Sequence, residues 1–224
     1  MLGIKPTDLV LEIGSGNRPR RRSNILCDRF LDDNYQRASG ENIAIDGRPF
    51  VAADGLALPF KDQSFDYVVS SHILEHVDDP MKFISELCRV AKKGYIESPS
   101  ELGEKLFGWP FHQWIVRIDK DTIIMRKRPE NSLFGNYFHL MYQNDPLFAE
   151  FIDSHYEDFY VQLEWEGSIK LIVEDDPVLD IKFNKEGARV SVLSYFRTLE
   201  ISFFRFFLLP FLVLIRHFRK FRHI

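Results

Sequence analysis

Three sets of residues in this chain have types and spacings that could do chemistry. The first is the run Val10-Leu11-Glu12-Ile13-Gly14-Ser15-Gly16, where an apolar segment reaches a carboxylate and then two glycines one residue apart. Glycine serves where backbone turns with positive φ or approaches a ligand closely, and open α/β sheets bind ligands at the carboxyl ends of their strands. The run reads as a buried strand opening into a cofactor loop, with an ordinary turn as the alternative. The second set lies at further strand ends: Asp28, Asp54-Gly55-Leu56 and Ser71-His72. The third is histidine. His72, Glu75 and His76 have the residue types that bind zinc, but zinc ligation at this spacing needs a continuous helix that puts both histidines on one face. Here the string starts at a strand terminus and meets a helix start at Asp78-Asp79-Pro80, so no metal is expected, and loop bracing competes with catalysis as the role of Glu75 and His76. His112 and His76 are the candidate general bases, because histidine titrates near neutral pH.

The elements that must position these groups alternate. Residues 10–13, 24–27, 49–53, 65–70 and 95–97 read as strands, with a helical candidate at 29–38. A second helix starts at Asp79-Pro80, carries an apolar stripe of Phe83, Ile84, Leu87, Val90 and Ala91, and is expected to stop at Gly94. This order predicts an α/β fold with a doubly wound, mostly parallel sheet. In the C-terminal half, residues 113–118 and 122–127 read as a hairpin, 161–165 and 169–173 as another, and 178–183 with 188–193 as a third. One of these pairs is expected to supply the sixth and seventh strands. Residues 138–151 read as partly helical, with Pro146 as an interruption or restart.

Composition is that of a folded globular chain: 45% hydrophobic and 28% charged over 224 residues, enough for one substantial core. The last nine residues hold four of the 29 basic side chains and no acid. The rest therefore carries 25 basic against 33 acidic residues, which argues against a nucleic-acid surface. Cys27 and Cys88 lie in apolar segments and read as reduced, buried thiols. Nothing before Leu9 has the pattern of a signal peptide, so the chain is expected to be cytoplasmic.

Taken together, Leu11 to Gly16, Asp54 through Phe60, Ser64-Phe65-Asp66-Tyr67-Val68-Val69 and His72 through Pro80 resemble the class I S-adenosylmethionine-dependent methyltransferases, in the small-molecule, type 11-like branch. The resemblance covers roughly the first hundred residues and implies the Rossmann-like methyltransferase fold and S-adenosylmethionine as cofactor. It implies a cofactor set of Glu12, Gly14, Ser15, Gly16, Asp28, Asp54, Gly55, Leu56, Ser71 and His72. Within that set, Gly14 and Gly16 would lie against the methionine part and Glu12 would brace their loop. Asp28 would take the ribose hydroxyls, Asp54 the exocyclic amine of adenine and the Leu56 amide an adenine ring nitrogen, while Ser71 and His72 would face the methionine moiety. One departure stands out: only eight residues, Asn17 to Asn24, separate Gly16 from the first apolar residue of the second strand, so the usual first helix must be absent or reduced to a turn. Arg18, Arg20, Arg21 and Arg22 fill that loop and read as a solvated face, or as a positive environment for an anion.

This reading makes residues 1–198 the methyltransferase domain, with a core at 1–100 and substrate-side elaborations at 101–198. Phe107 to Trp114 is rich in aromatic residues and reads as a lid or substrate platform, or as packing against the sheet. The acceptor is a small molecule, saccharide or lipid-linked group. A glycan of cell-envelope synthesis comes first, a lipid or quinone second, and a catalytically inactive scaffold is the alternative of another class. Residues 199–224 form an apolar and basic segment. Its thirteen residues from Phe203 to Ile215 are too few for a bilayer span of about 20 residues, and the arginines that follow suit peripheral contact with the inner face of a membrane.

Overall fold

The computed structural model describes residues 2–32, 35, 40–128 and 135–174. Strands β1 (Val10–Ile13), β2 (Ile25–Asp28), β3 (Phe50–Ala52), β4 (Tyr67–Ser71), β5 (Lys93–Pro99) and β8 (Tyr160–Glu166) form one sheet in the order β3-β2-β1-β4-β5-β8. All neighbours are parallel except the last pair. The order reverses at β1, and the crevice beyond β1 and β4 is where a doubly wound sheet binds its ligand. Strands β6 (Trp114–Asp119), β7 (Thr122–Lys127) and β9 (Lys170–Glu174) form a second sheet.

Helix α1 (Pro80–Val90) begins as its sequence dictates. Asp79 accepts from the Lys82 amide at 2.9 Å and Pro80 occupies the first turn, where its missing N–H goes unused. Its buried face of Phe83, Ile84, Leu87 and Val90 packs on Leu11, Ile13 and Val68 of the sheet. Each such side chain contributes on the order of 1.5–3 kcal/mol by leaving water. The helix ends at Val90, not at Gly94 as the sequence suggests. Gly94 lies inside β5, where a Cβ would come within 2.4 Å of the Val68 carbonyl oxygen, so this glycine permits close strand approach and does not stop a helix.

No helix links β1 to β2, in agreement with the short spacing. Eight extended residues reach roughly 27 Å, and a four-residue strand needs a return of only about 13 Å, so a looped crossover suffices. The helix expected from Arg29 does not start there. Residues 29–32 form bends, because the Asp28 carboxylate takes the Phe30 amide at 3.0 Å and diverts the backbone into a turn. Residues 33–34 and 36–39 of that candidate lie outside the described residues.

The C-terminal half holds one of its expected hairpins and breaks another. β6 and β7 pair antiparallel through Asp119↔Thr122. The pair expected at residues 161–173 separates: β8 adds antiparallel to the open edge of β5, from Lys93↔Glu166 to Pro99↔Tyr160, while β9 runs parallel to β7. Gly167, at φ 77°, turns the chain from one sheet to the other. A single strand thus supplies the sixth position of the main sheet. Leu163 and Trp165 of β8 share a core with Trp114, Val116, Ile123 and Met125, which joins the two sheets. Helices α2 (Glu101–Phe107), α3 (Gly135–Asn144), α4 (Pro146–Ser154) and the short α5 (Tyr156–Phe159) form a separate layer, with Pro146 restarting the helix behind its Asp145 cap. The expected pair at 178–193 and the segment 199–224 lie outside the described residues. Among the described residues no helix is long and apolar enough to cross a membrane.

Candidate active site

The loop after β1 is built around two left-handed glycines, Gly14 at φ 70° and Gly16 at φ 54°. The Gly14 and Ser15 amides donate to the Cys27 carbonyl at 2.8 and 3.2 Å, which fastens the turn to β2. A Cβ on Gly14 would lie 1.9 Å from Ile73 Cδ1, whereas one on Gly16 would meet only the Gly14 carbonyl at 3.9 Å. The loop is thus closed on the side of Ile73 and open above Gly16. Glu12 braces it, accepting from the Arg20 amide at 2.9 and 3.2 Å from its two oxygens. Burial raises the Glu12 pKa, and hydrogen bonds from Ser23 and Arg20 oppose that rise.

Asp28 ends β2 with its Oδ2 on the Gly16 amide at 3.0 Å and its Oδ1 on the Phe30 amide. The carboxylate thereby shapes the glycine loop from the end of β2. Asp54 accepts from the Leu56 amide at 2.9 Å and faces Arg29 Nη1 at 3.1 Å. The two groups that the resemblance assigns to adenine are therefore hydrogen-bonded to one another. Gly55 has a packing role: a Cβ there would meet the Phe83 ring at 2.6 Å. The buried Ser15 hydroxyl has no hydrogen-bond partner, which leaves a polar atom for a ligand at the glycine turn. An open cradle at Gly16, an unpaired serine hydroxyl and a carboxylate at each of two strand ends fit S-adenosylmethionine.

The ends of β4 and β5 bring Glu97 and Arg20, which sequence reasoning missed, to the expected Ser71 and His72. His72 sits at φ 57° with its amide on the Glu97 carbonyl. Its ring nitrogens lie 3.4 Å from Glu75 Oε1 and 3.4 Å from Glu97 Oε1. Burial works against its charge, but hydrogen bonds to the two carboxylates outweigh that and raise its pKa to about 9. Arg20 Nη2 donates to the Ser71 hydroxyl at 3.0 Å, approaches Glu97 Oε1 at 3.7 Å and lies over the Tyr95 ring. The arginine run is therefore not uniformly a solvated face. Arg20 turns inward, and Arg22 ties down the carbonyls of Lys5, Pro6 and Asp8. Only the fold could reveal this, since nothing in the run distinguishes Arg20 from its neighbours.

His76 and His112 do come together, edge to face with ring centroids 4.6 Å apart. His112 Nδ1 lies 2.6 Å from Glu104 Oε2, and Arg128 Nε holds Glu104 Oε1 at 3.1 Å. Glu75 accepts from the Ser98 hydroxyl at 2.9 Å. Burial lowers the His76 pKa to about 4, so at neutral pH its ring is uncharged and a weak base. Burial would raise the Glu75 pKa, yet the His72 hydrogen bond and the fields of the three histidines lower it to about 2. His72 and His76 both approach Glu75 Oε1, at 3.4 and 4.0 Å, but only residues 74–76 form a helical turn, so the string is not the continuous helix that zinc ligation at this spacing needs. A sequence clue to Glu104 exists in its place on the buried face of α2 beside Gly103 and Leu106.

The aromatic segment divides between its two readings. Trp114 packs in the core and donates to the Val77 carbonyl at 2.7 Å. Phe107 and Trp109, with His139, Tyr142, Phe159 and Tyr160, line a cavity of about 200 Å³. That cavity adjoins the site, because Tyr160 also contacts the His72 ring at 5.4 Å between centroids.

Residues 26–96 match the family model described as a methyltransferase domain. An uncharacterized methyltransferase of Mycobacterium tuberculosis (strain ATCC 25177 / H37Ra) is 45% identical over 65 residues, which are 28% of this chain and 25% of that protein. A demethylmenaquinone methyltransferase of Corynebacterium efficiens is 26% identical over 141 residues, covering 59% of this chain and 60% of that protein. A solved methyltransferase from Aquifex aeolicus, described as dependent on S-adenosylmethionine, aligns at 17% identity with a TM-score of 0.30, covering 42% of this chain and 57% of that one. The chain spans about a quarter of the length of the mycobacterial relatives that it matches. With the parallel sheet reversing at a glycine loop, the match makes residues 26–96 of this chain similar to a methyltransferase domain.

Proposed function

We propose that this chain transfers the methyl group of S-adenosylmethionine to a small saccharide acceptor, in keeping with cell-envelope glycan synthesis. The observation that carries the reading is the left-handed Gly14-Ser15-Gly16 turn closed by Ile73, in a chain whose residues 26–96 match a methyltransferase domain. When bound, the cofactor supplies an electrophilic methyl group on its sulfonium. Gly14 and Gly16 admit its methionine part against the backbone, while Asp28 and Asp54 accept from its hydroxyls and amine. Ser71, held by Arg20, and His72, held by Glu75 and Glu97, line the far side. Phe107, Trp109 and Tyr160 present ring faces on which a sugar ring packs. Holding the acceptor oxygen in line accounts for much of the rate, and His112, oriented by Glu104, is the group to take the hydroxyl proton.

A second reading, a quinone or lipid acceptor, is favoured by the aromatic lining and by the similarity to the demethylmenaquinone methyltransferase. In both readings residues 199–224 bring the protein to an anionic membrane surface where a lipid-linked acceptor resides. Incubating the full chain with methyl-tritiated S-adenosylmethionine and fractionated cell extracts tests the choice. Label in the glycan fraction supports the first reading, and label in the lipid extract alone supports the second. Cofactor binding without label in any fraction refutes both and leaves a binding protein on a methyltransferase fold.

A further inference from the structure

We propose that Glu75, His76 and His112 form a site for one divalent transition-metal ion, with Zn²⁺ as the fitting ion, beside Trp109 of the aromatic cavity. One ligand atom from each of the three residues lies within 4.8 Å of the other two. Ligands bonded at about 2.1 Å in a tetrahedral arrangement stand roughly 3.5 Å apart, so only a small closure of the side chains separates this geometry from a coordinated one. Two imidazoles and a carboxylate are a donor set that zinc accepts while keeping a fourth position open.

Two further observations point to an ion. Glu75 is 1% exposed, with its Oε2 held by Ser98 and its Oε1 facing imidazole nitrogens, His72 Nδ1 at 3.4 Å and His76 Nε2 at 4.0 Å; His76 Nδ1 is buried with no hydrogen-bond partner. A buried polar atom left unpaired is destabilising, and a bound cation would satisfy this imidazole nitrogen while sharing the carboxylate oxygen with His72. Glu104 on His112 Nδ1 fixes the ring and leaves Nε2 as the free lone pair, and Arg128 fixes Glu104 in turn. A carboxylate behind an imidazole is the arrangement that orients metal-bound histidines. His72 is not part of the set, because its two ring nitrogens are already engaged by Glu75 and Glu97, each at 3.4 Å.

The sequence alone gives Glu75 and His76 loop bracing or catalysis, makes His112 and His76 the candidate bases, and expects no metal. The assembled cluster offers a different use: an ion at the open position would bind a water or acceptor hydroxyl and lower its pKa, leaving neither histidine as a free base. That role rests on the methyl-transfer reading, whereas binding of the ion does not.

The test titrates chelator-treated full-length protein with Zn²⁺ by calorimetry and with Co²⁺ by visible absorption. One equivalent is expected for each, with Co²⁺ giving the intense bands of a four-coordinate nitrogen and oxygen site. Glu75→Gln, which keeps side-chain shape, and His112→Ala should abolish that equivalent. Glu104→Gln, which touches no ion, should weaken it by about 10- to 100-fold. Circular dichroism establishes that each variant is folded, and the wild-type titrations decide the question even where a variant is not. Absence of a stoichiometric site in the wild type, or unchanged affinity in folded Glu75→Gln and Glu104→Gln, would overturn the proposal. Binding of S-adenosylmethionine to the metal-free protein is measured in parallel. Cofactor binding without a metal site sinks this inference alone, and a metal site without cofactor binding sinks the methyl-transfer reading alone.

Discussion

Replacing Gly14 by alanine puts the central loop under two separable stresses. At φ 70° an L-residue loses roughly 1–2 kcal/mol relative to glycine. The new Cβ would also stand 1.9 Å from Ile73 Cδ1 and 2.4 Å from its Cγ1, so Ile73 must leave its position or the loop must move. Overpacking of this kind destabilises by about 1–3 kcal/mol. The sum predicts a loss of about 2–5 kcal/mol for Gly14→Ala in urea unfolding. Ile73→Ala removes the steric part and leaves the backbone part, so the double variant should recover about 0.5–3 kcal/mol relative to additivity. S-adenosylmethionine affinity should follow the loop, falling at least about tenfold in Gly14→Ala, or roughly 1.4 kcal/mol. A stable, fully binding Gly14→Ala protein, or strict additivity with Ile73→Ala, would refute the claim that Ile73 closes the glycine turn.

Gly94→Ala should destabilise the chain by about 1–3 kcal/mol, because its Cβ would meet the Val68 carbonyl at 2.4 Å; a neutral substitution in thermal or urea unfolding would show that β4 and β5 are not in this register. Burial pushes the Cys27 thiol up to about 12, so native protein at pH 8 should leave Cys27 unmodified by a thiol reagent that labels it after unfolding, as read by mass spectrometry. Full-length protein should sediment with anionic vesicles at low salt and lose that binding when residues 199–224 are deleted, since each surface cation adds about 1 kcal/mol of attraction; indifference of the full chain to such vesicles would exclude the membrane role.

Much of the first hundred residues was legible because local and tertiary signals agree there. Asp79-Pro80 announces α1, its apolar stripe is the face that packs, and the apolar run ending at Gly14 is β1. The missing first helix was legible from spacing alone. The pair at 161–173 was misread because Glu166-Gly167-Ser168 is good turn chemistry, whereas pairing is decided by the open edge of β5, which no local window contains. Gly94 was misread for the same reason, since its neighbour Val68 is remote in sequence. At the site, the glycines and acids at strand ends were visible. Arg20 on Ser71, Glu97 beside His72, and Glu104 behind His112 are pairings between elements, and a single sequence records the residue types without the partners.

The central claim is that the crevice beyond β1 and β4 holds S-adenosylmethionine, and calorimetric titration of the full-length protein with that cofactor tests it most directly. The account predicts one saturable site, competed by S-adenosylhomocysteine and weakened at least about tenfold in Asp54→Ala. Absence of binding by folded wild-type protein, or equal affinity in folded Asp54→Ala, would contradict it.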